Sequence, residues 1–289
     1  MRKYFFTLPI LLMVLFGCRN SEPNVKSNIT VSLHPHKYLV DKISGNLFDV
    51  EVLVPPGADH ETYDPTPAQF ARISSSSLYF ANGHLSFEEA WLPNIRSNNP
   101  LLKIVDLSEG IELIEGDGHM HGDHHHATAD PHFWLSASGI KVMATNVYRA
   151  LCTSFPENEA GFTANYKMLN QSLDSLNLAI TNKLLPYEGQ SFMIFHPALT
   201  YFAADYNMHQ VAIEVDGKAP SLKGLQKFID IAKQENIKVV LIQAQYDKEN
   251  AINIAKEANA KVVSFDPVAY DWIKNMSEIS DVIASSLKQ

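Results

Sequence analysis

One long amphipathic segment near the middle of the chain restricts the fold most. Between residues 156 and 185 the apolar residues recur at intervals of three and four: Phe162, Tyr166, Leu169, Leu173, Leu176 and Ile180. This spacing places one apolar stripe along a single helix. Its length exceeds the roughly 8 to 20 residues of most globular helices, and Pro186 ends it. We predict a rigid helix over residues 156–186 that joins two lobes. The alternative is a long core helix within one domain.

Strand and helix patterns alternate on both sides of this segment. Before it, we predict strands at 29–33, 50–54, 78–81 and 102–105 and helices at 37–43, 67–73, 87–95 and 136–155. After it, we predict strands at 191–195, 210–215, 239–243 and 262–265 and helices at 199–205, 222–235 and 248–258, with a last helix ending at 287. Such alternation is typical of parallel sheets covered by helices on both faces. The predicted class is therefore α/β, with an N-terminal lobe (28–155) and a C-terminal lobe (187–289).

The N-terminus has the pattern of an export signal. Arg2 and Lys3 precede an apolar run over residues 4–16, which is too short to cross a bilayer comfortably. The following Gly17-Cys18 resembles the end of a bacterial lipobox, in which the cysteine is acylated. We predict a lipoprotein signal peptide at 1–17, lipidation of Cys18 and a polar tether at 18–27. A plain secretory peptide is the alternative.

Cysteine content and charge exclude several classes of protein. Once the leader is removed, Cys152 is the one cysteine left beside Cys18, so we expect no structural disulfide. The formal net charge of -9 makes nucleic acid an improbable partner and favours cations. No later segment is long and apolar enough to cross a membrane.

A histidine-rich tract within residues 115–130 indicates contact with a transition metal. Five of the chain's 12 histidines fall within eight residues: His119, His121, His124, His125 and His126. Imidazole suits zinc, copper, nickel and iron. The neighbouring Gly and Asp residues predict a loop, which cannot define a fixed coordination geometry. We interpret it as a low-affinity collecting loop. A solvated polar loop is the alternative.

Other candidate ligands follow predicted strands, where open α/β sheets bind their ligands. His60 and Glu61 follow the strand at 50–54, His196 follows 191–195, and Asp266 follows 262–265. His132 lies at the entry to the helix after the histidine-rich tract. Imidazoles with one or two carboxylates form a plausible zinc site, although each residue alone is more often an ordinary loop residue. His34 and His36 follow the first strand and either bind the metal or hydrogen-bond its ligands.

The motifs around these residues resemble a known family. They comprise Pro55-Pro56-Gly57-Ala58-Asp59-His60-Glu61-Thr62-Tyr63, Phe80-Ala81-Asn82-Gly83, Asp130-Pro131-His132-Phe133-Trp134, Phe195-His196-Pro197-Ala198 and Ser264-Phe265-Asp266-Pro267, with a further match at 219–225. Together they resemble the zinc and manganese ABC-transporter solute-binding lipoproteins, the ZnuA/TroA-like proteins. The resemblance implies two α/β lobes joined by one long helix, with the metal bound between them. It also implies a monomeric, membrane-anchored, extracytoplasmic receptor, not an enzyme, that delivers Zn²⁺ to an ABC permease.

The resemblance also implies the ligands. His132 and His196 match the family's histidines, and Asp266 matches its carboxylate in the second lobe. The family's first histidine aligns with Glu61, with His60 one residue earlier. We favour His60, because nitrogen is the better zinc donor, and Glu61 alone or both residues are the alternatives. Gln243 stands where the family often has glutamate.

The histidine-rich loop is typical of the zinc type. Manganese or iron is the alternative cargo, since carboxylates suit these metals better. A metal-dependent adhesin shares the scaffold. A zinc hydrolase with Glu61 as its base is the remote alternative.

Overall fold

In a computed structural model, the protein contains two four-stranded parallel sheets. The structure describes residues 28–116, 129–214, 220, 222–243 and 249–288. The strands of the first sheet are β1 (Asn28–Val31), β2 (Asp49–Val52), β3 (Leu78–Ala81) and β4 (Lys103–Asp106). Those of the second are β5 (Ser191–Ile194), β6 (His209–Ala212), β7 (Val239–Gln243) and β8 (Lys261–Phe265). Their orders are β2-β1-β3-β4 and β6-β5-β7-β8, so the two lobes repeat one topology.

Helices connect the strands as the sequence pattern predicts. The N-terminal lobe has α1 (His34–Ser44), α2 (Pro67–Ser74), α3 (Ser86–Asn98) and α4 (Ala137–Ser154). A central helix, α5 (Glu159–Leu184), follows. The C-terminal lobe has α6 (Thr200–Asp205), α7 (Leu222–Gln234), α8 (Glu249–Ala258) and α9 (Trp272–Leu287). The predicted α/β class is confirmed.

Helix α1 begins three residues before the predicted start. Pro35 lies in its first turn, where a missing backbone N–H costs no helical hydrogen bond and the fixed φ suits a helix. His34 and His36 are therefore helical residues rather than loop residues.

The predicted long helix is present and is shared by both lobes. A short 3-10 turn, Pro156–Asn158, precedes α5, and a second one containing Pro186 follows it. The stripe residues Phe162, Leu169, Leu173 and Ile180 are buried. Helix α5 contacts α1 and α4 of the N-terminal lobe and α9 of the C-terminal lobe, so it supports both lobes at once.

Two tryptophans connect the lobes near the carboxyl ends of the strands. The Trp134 indole N–H donates to the Pro267 carbonyl oxygen at 2.8 Å, and the Trp272 indole N–H donates to the Trp134 carbonyl oxygen at 2.7 Å. These paired bonds hold the two strand-end surfaces face to face. Among the described helices, none combines the length and apolar character that a membrane crossing requires.

Candidate metal centre

The loop after β2 carries His60 and Glu61 and is held by one hydrogen bond within it and by another from α2 to its first residue. Asp59 accepts a hydrogen bond from the Glu61 backbone N–H at 3.0 Å. Further along, the Gln69 side-chain amide in α2 donates to the Leu53 carbonyl oxygen at 2.7 Å. These local bonds fix the backbone of the loop, so both side chains have defined positions.

His132 begins a 3-10 turn, His132–Leu135, just before α4. The Asp130 carboxylate accepts from the His132 backbone N–H at 2.8 Å, and the same oxygen lies 2.8 Å from His132 Nδ1. Because a carboxylate oxygen only accepts, Nδ1 carries the proton. With the proton on Nδ1, the neutral form of the ring has an Nε2 lone pair that can bind a metal.

His196, in the loop after β5, has the same arrangement with different partners. Its Nδ1 lies 2.8 Å from Glu214 Oε2, just beyond the end of β6. The Gln243 side-chain amide, at the end of β7, donates to the His196 carbonyl oxygen at 2.9 Å. Both the ring and the backbone of His196 are thus held by neighbouring strand ends.

The three imidazoles and one carboxylate converge in the crevice between the lobes. His60 Nε2 lies 2.9 Å from His132 Nε2, and Glu61 Oε1 lies 3.7 Å from His132 Nε2 and 3.2 Å from His196 Nε2. Two nitrogens bound to one tetrahedral zinc at about 2.0 to 2.1 Å are about 3.3 Å apart. The observed separations are close to that spacing.

Within the described part of the chain, His60, Glu61 and His132 form a group with potential ligand atoms within 4.8 Å of one another. His196 adjoins this group, because its Nε2 atom lies 3.2 Å from Glu61 Oε1. The histidine side of the centre is almost completely shielded from solvent, with His60 1% and His132 and His196 each 2% exposed. A buried cluster of this kind could hold a metal ion.

Trp134 forms an aromatic wall of the centre. Its ring centroid lies 5.3 Å from that of His60 and 5.1 Å from that of His132. It is fully buried, as is its neighbour Phe133. The wall lowers the local dielectric and strengthens electrostatic interactions at the centre.

His60 and His196 are held in opposite protonation states. Burial lowers the pKa of His60 to about 3. Burial also acts to lower the pKa of His196, but hydrogen bonds to Glu214 and Glu61 outweigh it and raise the value to about 10. Burial acts to raise the pKa of Glu61, and the hydrogen bond and charge of His196 reverse this, holding that pKa far below its usual range. Before metal binds, His196 is therefore a cation between two carboxylates.

Asp266 follows β8, as predicted, but lies at the edge of this arrangement. Its side chain is exposed and accepts from the Val268 backbone N–H at 3.0 Å. Burial lowers the pKa of His34, and the charge of Asp266 opposes that shift. The compact ligand group does not include Asp266, so its role as a ligand stays a prediction.

His36 and Gln243 are buried polar residues with unsatisfied atoms. Neither ring nitrogen of His36 has a hydrogen-bond partner among the described residues, and its ring lies edge-on to Trp134 at 6.4 Å. Burial lowers its pKa to about 3, so the ring is neutral and packs as part of the wall. Gln243 acts on His196 through the backbone, as described above.

Sequence reasoning missed the roles of Asp130 and Glu214. Each orients a histidine, and each was visible as a carboxylate near a strand end or beside a ligand motif. Glu214 follows the observed strand β6, but the predicted strand 210–215 included it, so the strand-end rule did not point to it. The predicted signal peptide (1–17), Cys18, the tether (18–27) and the five histidines His119, His121, His124, His125 and His126 lie outside the described residues.

A comparison with known families supports the metal centre. The family described as zinc-uptake complex component A, periplasmic (ZnuA), matches residues 29–286. The chain belongs to the ZnuA family. The resemblance seen in the sequence motifs is thereby confirmed.

Individual relatives agree with this assignment. The zinc-binding lipoprotein AdcA of Streptococcus pneumoniae (strain ATCC BAA-255 / R6) is 25% identical over 268 residues, which cover 89% of this chain and 53% of AdcA. The chain thus spans about half the length of AdcA. The high-affinity zinc uptake system protein ZnuA of Bacillus subtilis (strain 168) is 26% identical over 274 residues, covering 89% of this chain and 85% of that protein. A crystal structure of ZnuA matches with a TM-score of 0.84 and 36% identity, covering 91% of this chain and 100% of that one.

Proposed function

We propose that this ZnuA-family protein captures Zn²⁺ outside the cytoplasm through His60, Glu61, His132 and His196 and presents it to an ABC permease. The observation that carries the proposal is the convergence of three buried imidazole Nε2 atoms and one carboxylate between the lobes. This set supplies four donors, the number that structural zinc sites use. Asp266 is proposed as a carboxylate at the rim that contributes charge.

The donor set favours binding over hydrolysis. A catalytic zinc site keeps one position open for water and places a base beside it. Here Glu61 lies 3.2 Å from one histidine nitrogen and 3.7 Å from another, which are distances that suit a shared ligand shell. With Glu61 bound, four protein donors fill the tetrahedral shell and leave no position for water.

The same donor set favours zinc over manganese. Three nitrogens and one oxygen suit zinc, whereas manganese prefers oxygen-rich shells, and zinc binds more tightly to a given N/O site. Asp266 is the residue that would move the balance towards manganese if it entered the shell.

The remaining parts of the proposal concern location and delivery. We propose that Cys18 is acylated and holds the protein on the outer side of the membrane, and that the histidine-rich tract collects zinc weakly. The relative AdcA is a zinc-binding lipoprotein, and the matching family is described as a periplasmic component of zinc uptake. An acidic chain with a net charge of -9 also suits a cation receptor.

The central test is a competition titration of metal-free protein against a chromogenic chelator. We expect tight binding of one Zn²⁺ and much weaker binding of Mn²⁺. His209→Ala, at an exposed position of β6, is the matched histidine control and should leave both affinities unchanged. Equal or tighter binding of Mn²⁺ would reject zinc as the cargo.

A deletion of residues 117–126 tests the collecting role. In a calorimetric titration with Zn²⁺, the deletion should leave the tight site unchanged and remove the weaker binding. Loss of tight binding on this deletion would show that the loop histidines, not the crevice, hold the ion.

A cellular test addresses anchoring and delivery. Cys18→Ser should release the protein from the membrane fraction, and a strain lacking the protein should regain zinc uptake with the wild-type chain but not with His132→Ala. Uptake restored equally by both chains would reject the receptor role.

A further inference from the structure

We propose that Tyr201 is a positioning residue of the metal centre. Its hydroxyl reaches across the lobe interface and holds the backbone of Asp130, whose carboxylate orients His132. The inference rests on the proposed zinc-binding function and extends it to a residue that touches no candidate ligand.

The Tyr201 hydroxyl makes two hydrogen bonds with the N-terminal lobe. It donates to the Asp130 carbonyl oxygen at 2.9 Å and accepts from the Ile114 backbone N–H at 3.0 Å. Asp130 and Ile114 also bond directly, since the Asp130 N–H donates to the Ile114 carbonyl oxygen at 2.9 Å. One phenol thus completes a closed set of three bonds that fixes both backbone segments.

The Tyr201 side chain is rigid enough for this role. It is 4% exposed, and its ring meets that of Phe133 edge-on at 6.2 Å. A buried ring in contact with another aromatic has one orientation, so the position of the hydroxyl is set by packing rather than by the bonds it makes.

Tyr201 lies between the two ligand-bearing segments. It belongs to α6, which follows the His196 loop, while Asp130 immediately precedes the His132 turn. Ile114 and Asp130 also flank residues 115–129, whose ends form an antiparallel bridge between Glu115 and Ala129. The hydroxyl therefore bonds to the backbone on both sides of residues 115–129. One of these two partners is Asp130, whose carboxylate orients His132.

Removal of the hydroxyl should loosen His132 without removing any ligand. Without it, the Asp130 carbonyl and the Ile114 N–H each lose a partner, and the backbone can shift. Asp130 then holds His132 Nδ1 in a less favourable geometry. Loss of outer partners of a metal-binding histidine lowers affinity about 10- to 100-fold. Because Tyr201 acts through Asp130, we expect about tenfold, at the lower end of that range.

The test is Tyr201→Phe, which keeps the ring and removes only the hydroxyl. The matched control is Tyr206→Phe, just after α6. The Tyr206 side chain is also buried, but its hydroxyl donates to Asn177 Oδ1 of α5 at 3.0 Å and has no link to the centre. We expect Tyr201→Phe to bind Zn²⁺ about tenfold more weakly in the chelator competition and to change the visible absorption spectrum of the Co²⁺-substituted protein. Tyr206→Phe should lower the melting temperature but leave affinity and spectrum as in the wild type.

Two further variants test whether Tyr201 acts on His132 through Asp130. Para-aminophenylalanine at position 201 restores a donor at the same place and should recover most of the affinity. Tyr201→Phe combined with Asp130→Asn should cost less than the two single changes together, because both act on one path.

The outcomes separate the two proposals. If the wild type fails to bind Zn²⁺ tightly, the proposed function fails. If the wild type binds but Tyr201→Phe matches it in affinity and Co²⁺ spectrum, the positioning role is rejected. A Tyr201→Phe protein that loses its near-ultraviolet circular dichroism would also reject it, since the hydroxyl would then hold the fold rather than the centre.

Discussion

The two lobes share a strand order but prepare their histidines differently. In the N-terminal lobe, burial keeps His60 neutral, with a pKa of about 3. In the C-terminal lobe, Glu214 and Glu61 raise the pKa of His196 to about 10. A histidine beyond a strand end is thus a ready donor in one lobe and a charged imidazole in the other. Burial and the neighbouring carboxylates determine the charge of each ring.

The lobes also differ in how many donors they supply. His60, Glu61 and His132 come from two loops of the N-terminal lobe, whereas the C-terminal lobe brings His196 to the same cluster. We infer that the N-terminal lobe forms a partial site and that His196 completes it. Four predictions test this difference, in order of decreasing effect.

The first prediction compares the loss of one ligand from each lobe. His132→Ala and His196→Ala should each weaken zinc binding by more than about 100-fold, beyond the range for outer partners. His132→Ala should have the larger effect, because His132 contacts both His60 and Glu61 and its loss dismantles the partial site. The chelator competition measures both. A smaller loss of affinity for His132→Ala than for His196→Ala would contradict the inference that the N-terminal lobe forms the partial site.

The second prediction concerns the orienting carboxylates. Asp130→Asn and Glu214→Gln keep the shape of each side chain and replace one carboxylate oxygen by an amide. Each should weaken zinc binding about 10- to 100-fold, since the histidine tautomer and orientation are less well held. Calorimetry on both variants checks this. Wild-type affinity in either one would show that its histidine needs no partner.

The third prediction is a pH dependence that arises in the C-terminal lobe. The pKa of His196 is raised in the metal-free fold, so its charge stabilises that fold fully below about pH 6.5, and this contribution is lost as the pH rises through about 10. Zinc must displace the same proton. Apparent zinc affinity should therefore rise about tenfold per pH unit between pH 7 and 9, with about one proton released per ion.

Calorimetry in buffers of different ionisation enthalpy counts the released protons. Glu214→Gln should lower the pKa of His196 and flatten the dependence. A wild-type affinity that is constant over this pH range would contradict the charged state of His196.

The fourth prediction is the smallest effect. Asp266 is exposed and already accepts a backbone hydrogen bond. Asp266→Asn should weaken zinc binding by less than about tenfold, because loss of a rim carboxylate removes only screened Coulomb attraction. A loss above 100-fold in the competition titration would place Asp266 among the ligands and favour an oxygen-rich metal site.

Much of the fold follows from local patterns in the sequence. The strand Leu78–Ala81 and the strand Val239–Gln243 have the predicted bounds. Four of the six stripe residues of α5 are buried, and Tyr166 and Leu176 are half-buried. Helix α1 begins three residues before the apolar spacing that predicted it, because Pro35 is well tolerated in a first turn.

The candidate centre was only partly predictable. The strand-end rule located His60, Glu61 and His196, and a family motif located His132. The choice between His60 and Glu61 stayed open in the sequence, and the structure places both beside His132. The side chains of neighbouring loop residues can face the same site when the backbone turns between them. The sequence alone does not show such a turn.

Periodicity was enough to predict two α/β lobes and a shared helix, because these depend on short-range backbone preferences and apolar spacing. Strand ends and motifs pointed to a candidate metal centre between the lobes. The pairing of His132 with Asp130, of His196 with Glu214 and of Tyr201 with the Asp130 backbone depended on the folded chain. Tyr201 and Asp130 are 71 residues apart, and their contact exists because long-range packing brings helix α6 against the segment before His132. That packing also sets which histidine is charged, since Glu214 reaches His196 only when β5 and β6 pair, and Glu61 reaches it only when the lobes meet.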